Sequence, residues 1–160
     1  MPDAVPTTPS GYHTITAYLI IRDAIAALEF YREAFGATEV LRLMGADGRI
    51  VHAEMTFGDS RIMLAEESEA FRSPHAFSGT TVSLLMYVPN VDAAFERAIA
   101  AGIKILKPVA DQFYGDRSGT LQDPFGHVWT LSTHKEDVSP EEMQRRAAAL
   151  FLKLHEGNPP

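Results

Sequence analysis

The sequence contains no cysteine. Disulfides, thiolate nucleophiles and Cys-ligated zinc or iron–sulfur centres are excluded together. It has no apolar run approaching the roughly 20 residues that cross a bilayer, and its opening residues, MPDAVPTTPSGY, lack the basic start and apolar stretch of a secretory signal. A cytoplasmic location with no membrane partner is expected. Positive charge is also scarce: 14 Lys and Arg stand against 21 Asp and Glu, a net charge of −7. The basic residues cluster at Arg145-Arg146 and nowhere else, so a nucleic-acid partner has no electrostatic footprint. The remaining composition is that of an ordinary globular protein. Its 160 residues suffice for one domain with a sizeable core, or for two small modules sharing one.

The stretch 120–134, TLQDPFGHVWTLSTH, organises the reading. In Asp123-Pro124-Phe125-Gly126, Asp can bond its own turn backbone, Pro presets φ at the second position and Gly closes a tight reversal. The alternation after it predicts a strand with Trp129 and Leu131 facing a core, and Val128, Thr130 and Ser132 facing away from it.

Residues 1–12 carry three Pro without periodicity and read as a flexible tail. Residues 14–21 read as a strand, followed by a helix capped by Asp23 and closed by Gly36, with Ile25, Leu28, Phe30, Tyr31 and Phe35 on its apolar side. Strands are expected at 38–44, 49–57 and 60–65, giving β-α-β-β-β. Residues 67–79 read as a polar linker loop. The order then repeats: a strand at 82–88, a helix capped by Asn90 and stopped by Gly102, a strand starting at 103–106, a loop at 107–116, and strands at 117–122 and 127–133. Ala26-Ala27-Leu28-Glu29 aligns with Ala93-Ala94-Phe95-Glu96, a period of about 67 residues, too long for a solenoid repeat. The expected fold class is α+β: two paired βαβββ modules, 13–66 and 80–135, whose curved mixed sheets surround a shared cleft, plus a C-terminal helix at 136–155. In that helix Ser139, Pro140 and Glu142 make a capping box, and Met143, Ala147, Leu150, Phe151 and Leu154 form one apolar stripe.

The doubled βαβββ unit, the capped helices ending in Phe-Gly or Ala-Gly, the Asp-Pro-Phe-Gly turn and the Ser139-Pro140-Glu141-Glu142 segment resemble the vicinal oxygen chelate superfamily. That superfamily includes glyoxalases, extradiol dioxygenases, epimerases and bleomycin-resistance proteins; the chain is most similar to its PhnB-like branch. The resemblance implies a site where metal-dependent members place His and Glu on the first and last strands of each module. Those positions fall here on Thr16, Met63, Ser83 and Thr130, which offer no imidazole or carboxylate. No metal and no cofactor are therefore expected.

Other candidates come from strand parity. His52 and Glu54 lie two apart, opposite an apolar face of Val51, Ala53, Met55 and Phe57. They read either as a polar strand face or as a general acid–base pair, or as two metal ligands short of a third from Tyr18. The stretch from Gln112 to Arg117 places Tyr114 and Arg117 over the cleft, unless Arg117 pairs locally with Asp116 and Tyr114 packs the loop. Tyr18 and Tyr87 are candidate cleft walls at equivalent offsets, and Thr16, Ser83 and Thr130 complete a ligand-binding lining. His13, His75, His127, His134 and His155 read as solvated. The resemblance implies a homodimer that binds a small-molecule ligand. Two function classes stay open. One is a glyoxalase-like enzyme on a small oxygenated metabolite, with His52 and Glu54 transferring a proton and Arg117 or Tyr114 steadying an oxyanion, or else a metal-dependent lyase, isomerase or dioxygenase of the same superfamily. The other is a metal-independent binding protein of the bleomycin-resistance type, whose net charge favours a cationic ligand.

Overall fold

The computed structural model describes residues 5–156. In chain order they form β1 (Tyr18–Ile21), α1 (Ala24–Phe35), β2 (Thr38–Met44), β3 (Ile50–Phe57), β4 (Ser60–Glu66), α2 (Pro74–Phe77), β5 (Ser83–Tyr87), α3 (Val91–Ala100), β6 (Lys104–Asp111), β7 (Asp116–Gln122), β8 (Val128–His134) and α4 (Pro140–Glu156). Two four-stranded sheets result, with orders β1-β4-β3-β2 and β5-β8-β7-β6. In each, the outer first strand runs parallel to the last and the remaining pairs are antiparallel. The registers repeat: Tyr18 stands opposite Met63 and Leu85 opposite Thr130. The structural counterpart of Tyr18 is therefore Leu85, and Tyr87 lies one step further along its strand face.

Local chemistry explains the helices. Asp23 adopts the left-handed region at φ 67° and its carboxylate accepts from the Ala26 amide at 3.2 Å. Glu66 at the end of β4 accepts from the Asp23 and Ala24 amides at 2.9 and 2.8 Å, so the free first-turn donors of α1 are satisfied from outside the helix. Gly36, at φ 68°, closes the helix in a conformation that side chains with a Cβ resist. Asn90 caps α3 through the Ala93 amide. Each helix covers one face of its sheet, and the buried core falls into two clusters bridged by the partly buried Phe30, Phe35 and Met86.

Several expected boundaries moved for identifiable reasons. Strand β6 continues to Asp111 through residues expected to be a loop. It is the edge of its sheet, and Pro108 falls in the irregular register between Lys107 and Ala110, where its missing N–H forfeits no ladder bond. The ladder of β1 begins only at Tyr18, and the linker contains the short helix α2. A register shift on β3 makes Val51 an extra residue that is 61% exposed, while Ile50 takes the core position expected for it. Ile25, expected on the apolar side of α1, is exposed. The Glu142 amide donates to the Ser139 hydroxyl at 3.2 Å, but the Glu142 carboxylate binds Arg145 and Arg146 in place of closing a capping box. Of the expected tail, Tyr12 is anchored, its ring 5.0 Å below the Arg61 guanidinium; residues 1–4 lie outside the described residues, as does the Leu154 side chain.

The two modules meet at the Asp123 turn. Asp123 is 4% exposed, and its carboxylate accepts from the Phe125 and His127 amides at 2.9 Å, from the Trp129 indole at 2.9 Å and from the Tyr31 hydroxyl of α1 at 2.7 Å. Burial, and then the Asp123 charge, push the Tyr31 hydroxyl well above its ordinary pKa, so it stays a donor. Gly126, at φ 91°, keeps the turn tight where a Cβ would meet Pro74 at 2.8 Å. Around this node Tyr31, Phe35, Phe57 and Trp129 interlock, with Phe57 and Trp129 stacked at 5.5 Å. Replacing Asp123 by Ala leaves four donors without their acceptor and is expected to cost more than about 3 kcal/mol in urea unfolding, against about 1 kcal/mol for Tyr31→Phe. A loss under about 1 kcal/mol for Asp123→Ala would show that the node does not carry the module contact.

Candidate functional site

On each sheet the strand face away from the helices carries the polar candidates. In the first module Met63 stands between Tyr18 on one side and Glu54 on the other. Above this row, Tyr18 Oη lies 2.9 Å from His52 Nδ1, and His52 Nε2 lies 3.3 Å from Glu54 Oε1. With the imidazole proton on Nε2, His52 donates to Glu54 and accepts from the Tyr18 hydroxyl, a continuous path from a half-buried carboxylate to an exposed phenol. Arg61 lies 3.7 Å from the other Glu54 oxygen. The Tyr12 hydroxyl is buried beside this carboxylate without a well-aligned hydrogen bond. Tyr12 first, then His52 and Arg61, hold the Glu54 carboxyl below its ordinary pKa against the opposing effect of burial.

The second module carries a different cluster. Asp116, 4% exposed, accepts from the Tyr87 hydroxyl at 3.0 Å and the Ser132 hydroxyl at 3.0 Å, and pairs with His134 Nδ1 at 2.7 Å. His134 Nε2 reaches Asp137 at 2.9 Å. Burial penalises the Asp116 charge, but the contacts from His134, Ser132 and Tyr87 prevail and lower its pKa. Asp116 first, then Asp137, raise that of His134. The Tyr114 hydroxyl lies 3.4 Å from the Ser118 hydroxyl on the same face. Thr130 contacts Thr120 at 3.2 Å between the hydroxyl oxygens.

These positions correct several expectations. Arg117 does not point over the cleft: odd positions of β7 face α3, as the close packing of Gly119 against Phe95 shows. Its guanidinium grips Asp92 of α3 bidentately at 2.8 and 2.9 Å and reaches Asp111 at 3.1 Å, and Asp116 is not its partner. His134 is a paired group, and His127 and His75 are also engaged, with Nε2 atoms 3.2 and 2.8 Å from the Ile20 and Pro124 carbonyls. The Asp116–His134 pair was legible in principle. Reflecting β7 onto β8 across the Asp123 turn pairs Asp116 with His134, Ser118 with Ser132 and Thr120 with Thr130.

The outer strands β1 and β5 flank a groove between the modules. Toward the start of β1 and the end of β5 it holds a cavity of 610 Å³, bordered by Thr16, Arg61, Leu85 and Tyr87. Toward the opposite ends it holds one of 660 Å³, bordered by Tyr18, Arg72, Thr81 and Val128. Both lie within the size range of small-molecule sites. At the positions equivalent to a metal site, half-buried Thr16, Met63 and Thr130 and exposed Ser83 present three hydroxyls and a thioether. That donor set does not fit a catalytic divalent ion, which takes imidazole and carboxylate ligands. Among the described residues no three His, Asp or Glu side chains are grouped to hold one elsewhere. Among the described residues no helix is long and apolar enough to cross a membrane.

A family model described as Glyoxalase/Bleomycin resistance protein/Dioxygenase superfamily matches residues 11–131. An uncharacterised protein of Mycobacterium bovis is 35% identical over 135 residues, covering 81% of this chain and 89% of that one. Among solved structures, TioX from Micromonospora sp. ML1 superposes with a TM-score of 0.62 at 27% identity, covering 79% of this chain and all (100%) of TioX. The PhnB protein of Bacillus cereus, described as a putative 3-demethylubiquinone-9 3-methyltransferase, shares the fold with a TM-score of 0.58 at 21% identity, covering 76% of this chain and 99% of that one.

The Asp116–His134 pair generates a pH prediction. The raised His134 pKa gives a contribution to stability that is full below the ordinary His value of about 6.5 and is lost as pH rises through the folded-state value. The lowered Asp116 pKa gives one that is full above the ordinary Asp value of about 3.9 and is lost as pH falls. The melting-temperature gap between wild type and His134→Gln should therefore be widest near pH 5–6 and close above about pH 8. A gap independent of pH from 5 to 9 would refute the pairing.

Proposed function

The chain belongs to the Glyoxalase/Bleomycin resistance protein/Dioxygenase superfamily, and on that footing we propose that it is a metal-independent member holding a small molecule in the groove between its modules. The observation that carries this reading is the chemistry of Thr16, Met63, Ser83 and Thr130: three hydroxyls and a thioether stand where a metal-dependent member needs imidazole and carboxylate, and of the four Thr16 borders a groove cavity. Tyr18, Tyr87 and Tyr114 supply aromatic and hydroxyl contacts around them. Tyr and Leu85 side chains left exposed on β1 and β5 are surface that a ligand covers.

A second reading, proton transfer on the bound molecule, is favoured by the Tyr18–His52–Glu54 hydrogen-bond path. In it Glu54 orients His52, and His52 takes the proton that the Tyr18 hydroxyl relays from an acidic C–H or O–H of the ligand. The working unit is a homodimer: the exposed Val40, Leu41, Leu43 and Met44 of edge strand β2, and Leu150 and Leu152 of α4, are apolar surface for a second copy to cover.

A thermal-shift panel of metabolites and antibiotics, run with and without chelator, tests the proposal. A ligand at about 100 times its Kd is expected to stabilise the fold by about 2.7 kcal/mol, with the same shift in EDTA. Binding that chelator abolishes and one equivalent of zinc or manganese restores would overturn metal independence. His52→Ala that retains ligand affinity while abolishing turnover would select proton transfer through His52; turnover undiminished in His52→Ala would reject His52 as the base.

A further inference from the structure

The cavity at the linker end of the groove is singular in its charge. Its wall contains Arg72 and no carboxylate, in a chain whose net charge is −7. Most other guanidiniums beside carboxylates are already engaged: Arg22 with Glu67, Arg49 with Glu66, Arg61 with Glu54, Arg117 with Asp92 and Arg146 with Glu136. Among the described residues Arg72 makes no ion pair and no hydrogen bond, and its side chain is exposed at the cavity. Beside it lie the hydroxyls of Thr80 and Thr81. Thr80 is committed to its own loop, accepting from the Val82 amide at 3.2 Å and donating to the Val82 carbonyl at 3.1 Å, whereas Thr81 is uncommitted.

The remaining wall is apolar. Phe77 and Val82, 72% and 66% exposed, stand at the mouth, and Ile20, Leu84 and Val128 lie along the two strands. His127, also in the wall, turns Nε2 toward the Ile20 carbonyl and so carries its proton there. We infer that this cavity binds a small organic anion, an apolar body bearing a carboxylate or similar oxyanion, with Arg72 gripping the anionic group and Thr81 donating to it. The inference rests on the small-molecule reading above and deepens it by naming the ligand's charge. A free guanidinium fork matches a planar oxyanion with two parallel N–H bonds, and the apolar walls reward a body that an inorganic anion lacks. The carboxylates responsible for the net charge do not oppose it at contact range, because none borders this cavity. Glu54 and Asp116 belong to the two clusters on the sheet faces. The cationic ligand suggested by net charge is thereby replaced with an anionic one.

The test uses the full-length chain and a pair of probes of matched shape, 1-naphthoate and 1-naphthylmethylammonium, titrated by calorimetry and by backbone-amide NMR. Naphthoate is expected to bind at least tenfold more tightly than the cation and to shift the amides of Arg72, Thr81 and Val82. Arg72→Gln should weaken naphthoate at least tenfold while leaving the melting temperature of the free protein unchanged, and Arg72→Lys should restore part of the loss. Phe77→Ala should weaken naphthoate while leaving its preference over the cation intact. Equal binding of both probes in the groove, or naphthoate affinity indifferent to Arg72→Gln, would overturn the anion inference and leave the small-molecule reading standing. Failure of both probes to perturb any groove amide at millimolar concentration would overturn the inference as well. The metabolite panel of the preceding section then decides the broader reading by itself.

Discussion

The buried Asp123 carboxylate is the interaction on which the rest of this structure depends. An ionised group so far from water is tolerated because every direction from it meets a donor: two amides of its own turn, the Trp129 indole and the Tyr31 hydroxyl. The first two shape the reversal between β7 and β8, and so their register. The third orients the largest side chain of the core. The fourth belongs to the other module, so one carboxylate sets the local turn, the packing of β8 and the relation between the two halves. Arg97 adds a surface link, donating to the Arg32 and Glu33 carbonyls at 3.0 and 2.6 Å at the end of α1.

Because the sheets repeat, their faces invite comparison, and the comparison shows divergence. In the first module the carboxylate near the centre, Glu54, is reached through an imidazole from an exposed phenol. In the second, Asp116 is buried beneath Tyr87 and Ser132, and its imidazole is oriented toward the segment leading to α4. The first arrangement leaves its phenol exposed at the surface. The second spends its polar groups on one another, and Gly115, whose carbonyl accepts from the Lys135 and Glu136 amides, draws the same segment onto the sheet. Similar residue types thus leave an exposed hydrogen-bond path on one face and an anchorage on the other.

Most of the fold was legible in the sequence because its signals are local. Alternation around Trp129, the caps at Asp23 and Asn90 and the Gly36 stop each act within a few residues, and the duplication supplied the pairing of elements. What escaped was set by context. Pro108 reads as a break until β6 is known to be an edge, and Val51 reads as core until the bulge displaces it by one position. Arg117 illustrates the same limit at the site: its type suits an anion, but the parity of β7 sends it to Asp92. Arg72 was hidden in the opposite way. A charged residue in a polar linker carries no pattern, and its isolation becomes visible only beside the paired guanidiniums of Arg22, Arg49 and Arg61.

The Asp123 contact also runs in one direction only. The corresponding turn of the first module, Gly58-Asp59, is short and exposed, and sends no carboxylate into α3. After duplication the two copies therefore ceased to be interchangeable: one kept the role of lock, with Tyr31 at the keyhole, and the other became the key. Two first modules brought together would each present a buried phenol with nothing to receive its proton, and two second modules would each hold out a carboxylate with no phenol to meet it. The approximate symmetry of the two halves is broken at a single hydrogen bond, from the Tyr31 hydroxyl to Asp123, and their pairing is a matter of chemistry.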